Sequence, residues 1–128
     1  SQKILANLQA KASLNKGKIT EYEAWNNYAI GIDNQGGRVY YSSKLNKNEA
    51  VQELDLGQVS TCKVTNVRDA DYSDKETLVL EFVFGDKTTK RNLEFYNSDH
   101  DGLTMHNEFQ LAEKWLKIIN SAKEKVKK

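Results

Sequence analysis

The densest set of groups able to do chemistry is the run Asn97-Ser98-Asp99-His100-Asp101-Gly102-Leu103-Thr104-Met105-His106-Asn107-Glu108. Oxygen-bearing side chains at its first, third and fifth places, glycine at the sixth and glutamate at the twelfth follow the spacing of a calcium loop. In that reading Asp99, Asp101 and a bidentate Glu108 supply the charge, Leu103 a backbone carbonyl and Gly102 the sharp turn. Against it, Asn97 stands where Asp is usual, Thr104 where an aliphatic residue is usual, and a strand leads in instead of a helix. The competing reading is a solvated polar turn whose Asp residues lie near a helix N-terminus, where the helix dipole favours them. The polar turn is the reading expected, and no metal is assigned. His100 and His106 flank the same turn and, with Asp99 and Asp101, offer a transition-metal set; two histidines in an exposed loop are more often only surface residues.

Elsewhere the inventory for catalysis is poor. Cys62 lies on an apolar strand face and is expected to be a buried small hydrophobe, not an activated thiolate. Neither histidine has a recognisable serine or cysteine partner, and no Gly-rich phosphate loop precedes a helix. The carboxylate pairs Asp69/Asp71 and Asp99/Asp101 fall in predicted loops, where burial able to raise a carboxyl pKa is not expected. No catalytic residue and no cofactor are assigned, and the chain reads as a non-enzyme.

These residues belong to a chain of 128 residues, with room for one domain and one core. A hydrophobic fraction of 38% and a charged fraction of 29% suit a folded protein. A net charge of +1 provides no global attraction to nucleic acid or anionic membrane. The single cysteine cannot close an internal disulfide, which fits a reducing, cytoplasmic setting. Proline is absent, so the turns rest on Gly, Asn, Asp and Ser. Apolar runs fall far short of the ~20 residues that span a bilayer. A first residue of Ser rather than Met reads as a trimmed start, leaving room upstream for a membrane segment or targeting signal.

The elements follow from periodicity. Ile4, Leu5, Leu8 and Ala12 share one helical face, which predicts a helix over 2–15, stopped by Gly17. Residues 1–17 are therefore read as a helical leader and 18–128 as the domain proper. From Lys18 to Tyr96 the period is two, and strands are expected at 18–25, 28–33, 38–44, 51–56, 61–68, 77–84 and 89–96. Asn34-Gln35-Gly36-Gly37 and Gly85-Asp86 mark hairpin turns. Short, evenly spaced strands predict an antiparallel meander closed into a barrel or sandwich. Asn107 with Gln110 predicts a capping box for a last helix. Its stripe is Phe109, Ala112, Leu116 and Ile119, widened by Leu111, Trp115, Ile118 and Ala122, with Lys114, Lys117, Lys123 and Lys125 on the solvated face and Lys127 and Lys128 as a basic tail.

Tyr28-Ala29-Ile30-Gly31-Ile32-Asp33, a glycine turn and Arg38-Val39-Tyr40-Tyr41 resemble the second and third strands of pleckstrin-homology (PH) domains. Glu53-Leu54-Asp55-Leu56-Gly57 resembles the fourth, and Trp115 falls where that family's helix tryptophan belongs. The resemblance covers residues 18–124 and implies a seven-stranded antiparallel barrel or sandwich capped by the C-terminal helix. Leu93-Glu94-Phe95-Tyr96-Asn97 and Leu111-Ala112-Glu113-Lys114-Trp115 resemble bacterial PH-like domains that follow an N-terminal membrane segment. The family's phosphoinositide binders resemble each other in a Lys/Arg cluster at the loop between the first two strands. Here that loop is Ala24-Trp25-Asn26-Asn27, without a cation and preceded by Glu21 and Glu23. Phosphoinositide liposomes are therefore expected to retain the chain no better than others of equal surface charge.

The expected function is a non-catalytic interaction module for a protein or peptide partner, with no nucleic acid and with membrane proximity only through a segment before Ser1. The alternative is a ligand-binding domain for anionic lipid or calcium. Trp25, Tyr28, Tyr40, Tyr41, Tyr72 and Tyr96 could line a groove, about half of them being expected in the core. The lysine row from Lys114 to Lys128 could touch anionic lipid, but is more often a solvated helix face.

Overall fold

The computed structural model describes residues 2–44, 51–69, 75–102 and 104–126. The elements run α1 (Gln2–Leu14), β1 (Glu21–Trp25), β2 (Tyr28–Asp33), β3 (Arg38–Ser43), β4 (Gln52–Asp55), a 3-10 turn (Leu56–Gln58), β5 (Val59–Asp69), β6 (Lys75–Phe84), β7 (Lys90–Asn97) and α2 (Glu108–Val126). The protein is mainly β, with antiparallel strands in the orders β1-β2-β3-β4 and β5-β6-β7. Among the described residues these ladders make two separate sheets; of the barrel or sandwich expected from the meander, a closed barrel is not formed. The break falls at the 3-10 turn, where Leu56 N–H donates to Gly37 O (2.9 Å) and Gly57 N–H to Asp55 Oδ1 (3.0 Å). No helix among the described residues is long and apolar enough to cross a membrane.

The chain divides into two compact units, Ser1–Gly57 with Ser121–Lys128, and Gln58–Asn120. In the first, β2 is buried along its whole length and β3 at Val39–Ser42, so both faces of these two strands are covered. Alternation assigns Tyr28, Ile30 and Ile32 to one face and Ala29 and Gly31 to the other. The second face meets α1: Leu8 and Ala12 join Ala29 and Tyr40 in one cluster, with Ile19 and Val51 packed against it. The small residues explain the fit. A Cβ at Gly31 would stand 3.2 Å from Ile19 Cγ2, tight enough that Ile19 would have to shift, while Leu8 Cδ1 at 3.5 Å would be in ordinary contact.

In the second unit, two bulges shift the alternation read from the sequence. Ser60 has no register partner between the pairs Val59↔Phe84 and Thr61↔Val83, which brings Val59 onto the face of Cys62 and extends β5 two residues upstream of its expected start. Phe95 is the extra residue between Leu78↔Tyr96 and Val79↔Glu94, and as a result Phe95, Tyr96 and Asn97 are all buried in succession. The tight β6–β7 turn is closed by Asp86, whose carboxylate accepts from Thr89 Oγ1 (2.5 Å) and from the N–H groups of Thr88 and Thr89. The Thr89 hydroxyl, then these backbone bonds, hold its pKa down at about 2.

Helix α2 begins where expected, with Leu111 N–H donating to Asn107 O (3.0 Å). In place of the predicted capping box, Glu108 Oε1 accepts from His106 N–H (2.7 Å). Ala112, Trp115, Ile119 and Ala122 are fully buried, while Phe109, expected in the stripe, is 42% exposed. Lys114, Lys117 and Lys125 are exposed as predicted, but Lys123 is buried, its long stem suited to lying along apolar surface. Lys127 and Lys128 lie outside the described residues.

Candidate functional site

Three side-chain oxygens of the Asn97–Glu108 turn accept from its own backbone. Asn97 Oδ1 accepts from Asp99 N–H (2.9 Å), Asp101 Oδ2 from Asn97 N–H (2.8 Å), and Glu108 Oε1 from His106 N–H. Asn97 Nδ2 reaches the Glu94 carboxylate (3.4 Å), and Gly102 takes a φ of 105°. Asp99, His100 and His106 are exposed, Asp101 is half-buried, Glu108 is buried, and Leu103 lies outside the described residues. Among the described residues no group of three or more His, Cys, Asp or Glu is arranged to hold a metal ion. Millimolar calcium is therefore expected to leave the melting temperature unchanged. A rise of several degrees that is lost in Asp101→Asn, and that magnesium does not reproduce, would overturn this.

Tyr96 anchors the same turn, its hydroxyl donating to Gly102 O (2.6 Å). Burial first, then the carboxylates of Glu76, Glu108 and Asp101, raise its pKa above 10.0. A phenol with a raised folded-state pKa stabilises fully below the unfolded value near 10 and loses that contribution as pH climbs through the folded value. Urea midpoints measured from pH 8 to 11 should fall more steeply for the wild type than for Tyr96→Phe. Parallel curves would contradict the assignment.

The remaining nominated residues scatter. Cys62 is half-buried, paired in register with Phe82, not fully buried as expected. Asp69 ends β5 instead of lying in a loop, and Asp71 and Tyr72 lie outside the described residues. Tyr28, Tyr40, Tyr41 and Tyr96 are core residues, and Tyr28 stacks on Tyr41 with ring centroids 6.4 Å apart. Of the described members of that set this leaves Trp25, half-buried on β1 at the end of its sheet; Tyr22 on the same strand, which the sequence reading did not nominate, is 55% exposed. Across the ladder Tyr22 faces Gly31 and Trp25 faces Tyr28.

A site that sequence reasoning missed lies where the α1–β1 connection meets the β2–β3 turn. Here Asn15, Lys16, Lys18, Thr20, Asp33, Gln35 and Arg38 line an open cleft of about 590 Å³. Asp33 forms its base. The residue is 5% exposed, and its carboxylate oxygens accept from the N–H groups of Gly36 (2.9 Å), Gln35 (3.1 Å) and Lys18 (3.4 Å). A Cβ at Gly17 or Gly36 would collide with Asp33 Oδ2, so a side chain at either place would displace that carboxylate.

Helix α1 enters the cleft through a Schellman-type ending. Gly17 N–H donates to Ala12 O (2.9 Å) and Lys16 N–H to Ser13 O (3.0 Å). The left-handed residue is Lys16, at φ 60°, not Gly17, which the sequence suggested as the stop. A side chain there costs ~1 kcal/mol relative to glycine. Lys16 and Lys18 are exposed, while Arg38 Nε pairs with Glu53 Oε2 at 3.2 Å. The Lys-Gly-Lys wording around the turn was the only sequence signal, and nothing local ties it to Asp33 and Arg38.

Comparison with family models, curated proteins and solved structures finds no match to this chain.

Proposed function

We propose that the chain is a non-catalytic, PH-like interaction module that binds an extended segment of a protein or peptide partner along β1. The observation that carries this reading is the position of β1 as the end strand of its sheet, with Tyr22 and Ala24 exposed on one face. An end strand offers main-chain groups to an added strand, and the alternate side chains beside it supply specificity. The succession of four and three antiparallel strands followed by a helix with a buried Trp115 supports the PH-like part of the proposal. So does the scarcity of nucleophile and base pairings in the sequence for the non-catalytic part.

The test is selection of peptides from a random phage-displayed library on the intact chain, followed by amide chemical-shift mapping. Enriched peptides should shift residues 21–25 and lose affinity on Tyr22→Ala, a substitution at an exposed position. Selected peptides whose shifts cluster away from β1, or a library without enrichment, would sink the proposal.

A further inference from the structure

We infer that the cleft between the α1–β1 connection and the β2–β3 turn binds a phosphate monoester, at a site separate from the β1 edge. The charges lining it are unequal. Lys16, Lys18 and Arg38 face a single lining carboxylate, Asp33. That carboxylate is occupied by three backbone N–H groups, and Arg38 shares its charge with Glu53. Lys16 and Lys18 are the exposed cations of the site, separated by one glycine whose lack of a side chain keeps the connection close to the β2–β3 turn. An anion entering here meets Lys16, Lys18 and the exposed Gln35, with Asn15, whose Nδ2 donates to the Tyr40 hydroxyl (3.2 Å), at the cleft wall. The volume of about 590 Å³ lies within the range of small-molecule sites.

The strained backbone points the same way. Lys16 occupies a left-handed position where glycine is easier, and such outliers gather at functional sites. Next to the lysines, Leu14 is 79% exposed, the largest exposure among the described large hydrophobic residues. An apolar side chain beside cations suits a surface where phosphate and hydrocarbon lie together. The phosphate therefore has two possible carriers, a soluble metabolite or an anionic lipid headgroup, and Leu14 separates them.

The experiment titrates the isotope-labelled full chain with glycerol 3-phosphate, and in parallel sediments it with phosphatidylcholine vesicles carrying phosphatidic acid or, at equal surface charge, phosphatidylserine. Saturable shifts are expected at the amides of Lys16, Gly17, Lys18, Gln35 and Gly36. Lys18→Ala and Lys16→Gly should each weaken binding by about fivefold, the order of one exposed charge contact. Because Lys16→Gly relieves the left-handed strain, it should bind more weakly while melting at a higher temperature, which separates loss of the site from loss of the fold. If retention prefers phosphatidic acid and falls in Leu14→Ser while the soluble titration is unchanged, the carrier is a lipid. Soluble binding without that preference assigns a metabolite. No saturable shift and no preferential retention, or affinity unchanged in both lysine variants, overturns the assignment. Since peptide mapping reads residues 21–25, failure of the β1 proposal and failure of this one are told apart.

Discussion

Trp115→Ala is expected to lose ~3–5 kcal/mol of stability, the cost of emptying a fully buried large side chain. Trp115 lies in the stripe of α2 with Ala112 and Ile119, all at zero exposure. Alanine keeps the helix propensity, so the loss comes from removed contacts and the cavity left behind. Against a total of ~5–15 kcal/mol for a domain of this kind, the variant should sit near the edge of folding. Urea denaturation should show a large drop in midpoint with little change in slope. Phe109→Ala, at a residue 42% exposed on the same helix, should cost far less. Similar midpoints for the two variants would mean that the helix does not present the Trp115 side inward.

Asp33→Ala is expected to cost about 2–3 kcal/mol, because three backbone donors lose their acceptor together. The carboxylate ties the α1–β1 connection at Lys18 to the turn at Gln35 and Gly36, so its loss should be felt on both sides of the cleft. Asp33→Asn keeps an acceptor oxygen and should recover about half of the loss. Amide hydrogen exchange adds the local readout: Lys18, Gln35 and Gly36 should exchange faster in Asp33→Ala while the β6 amides keep their protection. Unchanged exchange at those three positions would show that the carboxylate is not what holds the turn.

The contrast between these two residues shows what local pattern can carry. Trp115 was legible because a helix repeats every 3.6 residues, and the apolar positions of α2 keep that period whatever they pack against. The strands were legible for the same reason, since side chains alternate along any pleated chain. Where a bulge inserts a residue, as at Ser60 and Phe95, the period slips, and the boundaries and the burial of Tyr96 and Asn97 could not be counted from either side. The Asn97–Glu108 run drew attention because spacing alone resembles a ligand set. In the folded turn, Asn97 Oδ1, Asp101 Oδ2 and Glu108 Oε1 each accept from a nearby backbone N–H.

The sequence by itself determined the mainly β class, the order of the described strands, both helices and the buried Ala112, Trp115, Ile119 and Ala122 of α2, because each depends on neighbours within a few residues. It did not determine the exposure of Phe109 or the burial of Lys123. Only the tertiary structure decided that Ala29 packs with Leu8 and Ala12 of α1, that Gly31 lies close against Ile19, and that the strand ladders form two sheets. It also decided that the left-handed residue ending α1 is Lys16, and that Lys16 and Lys18 share a cleft with Asp33 and Arg38. Those features depend on how closely distant segments approach, and on which backbone donors a buried carboxylate finds when they do.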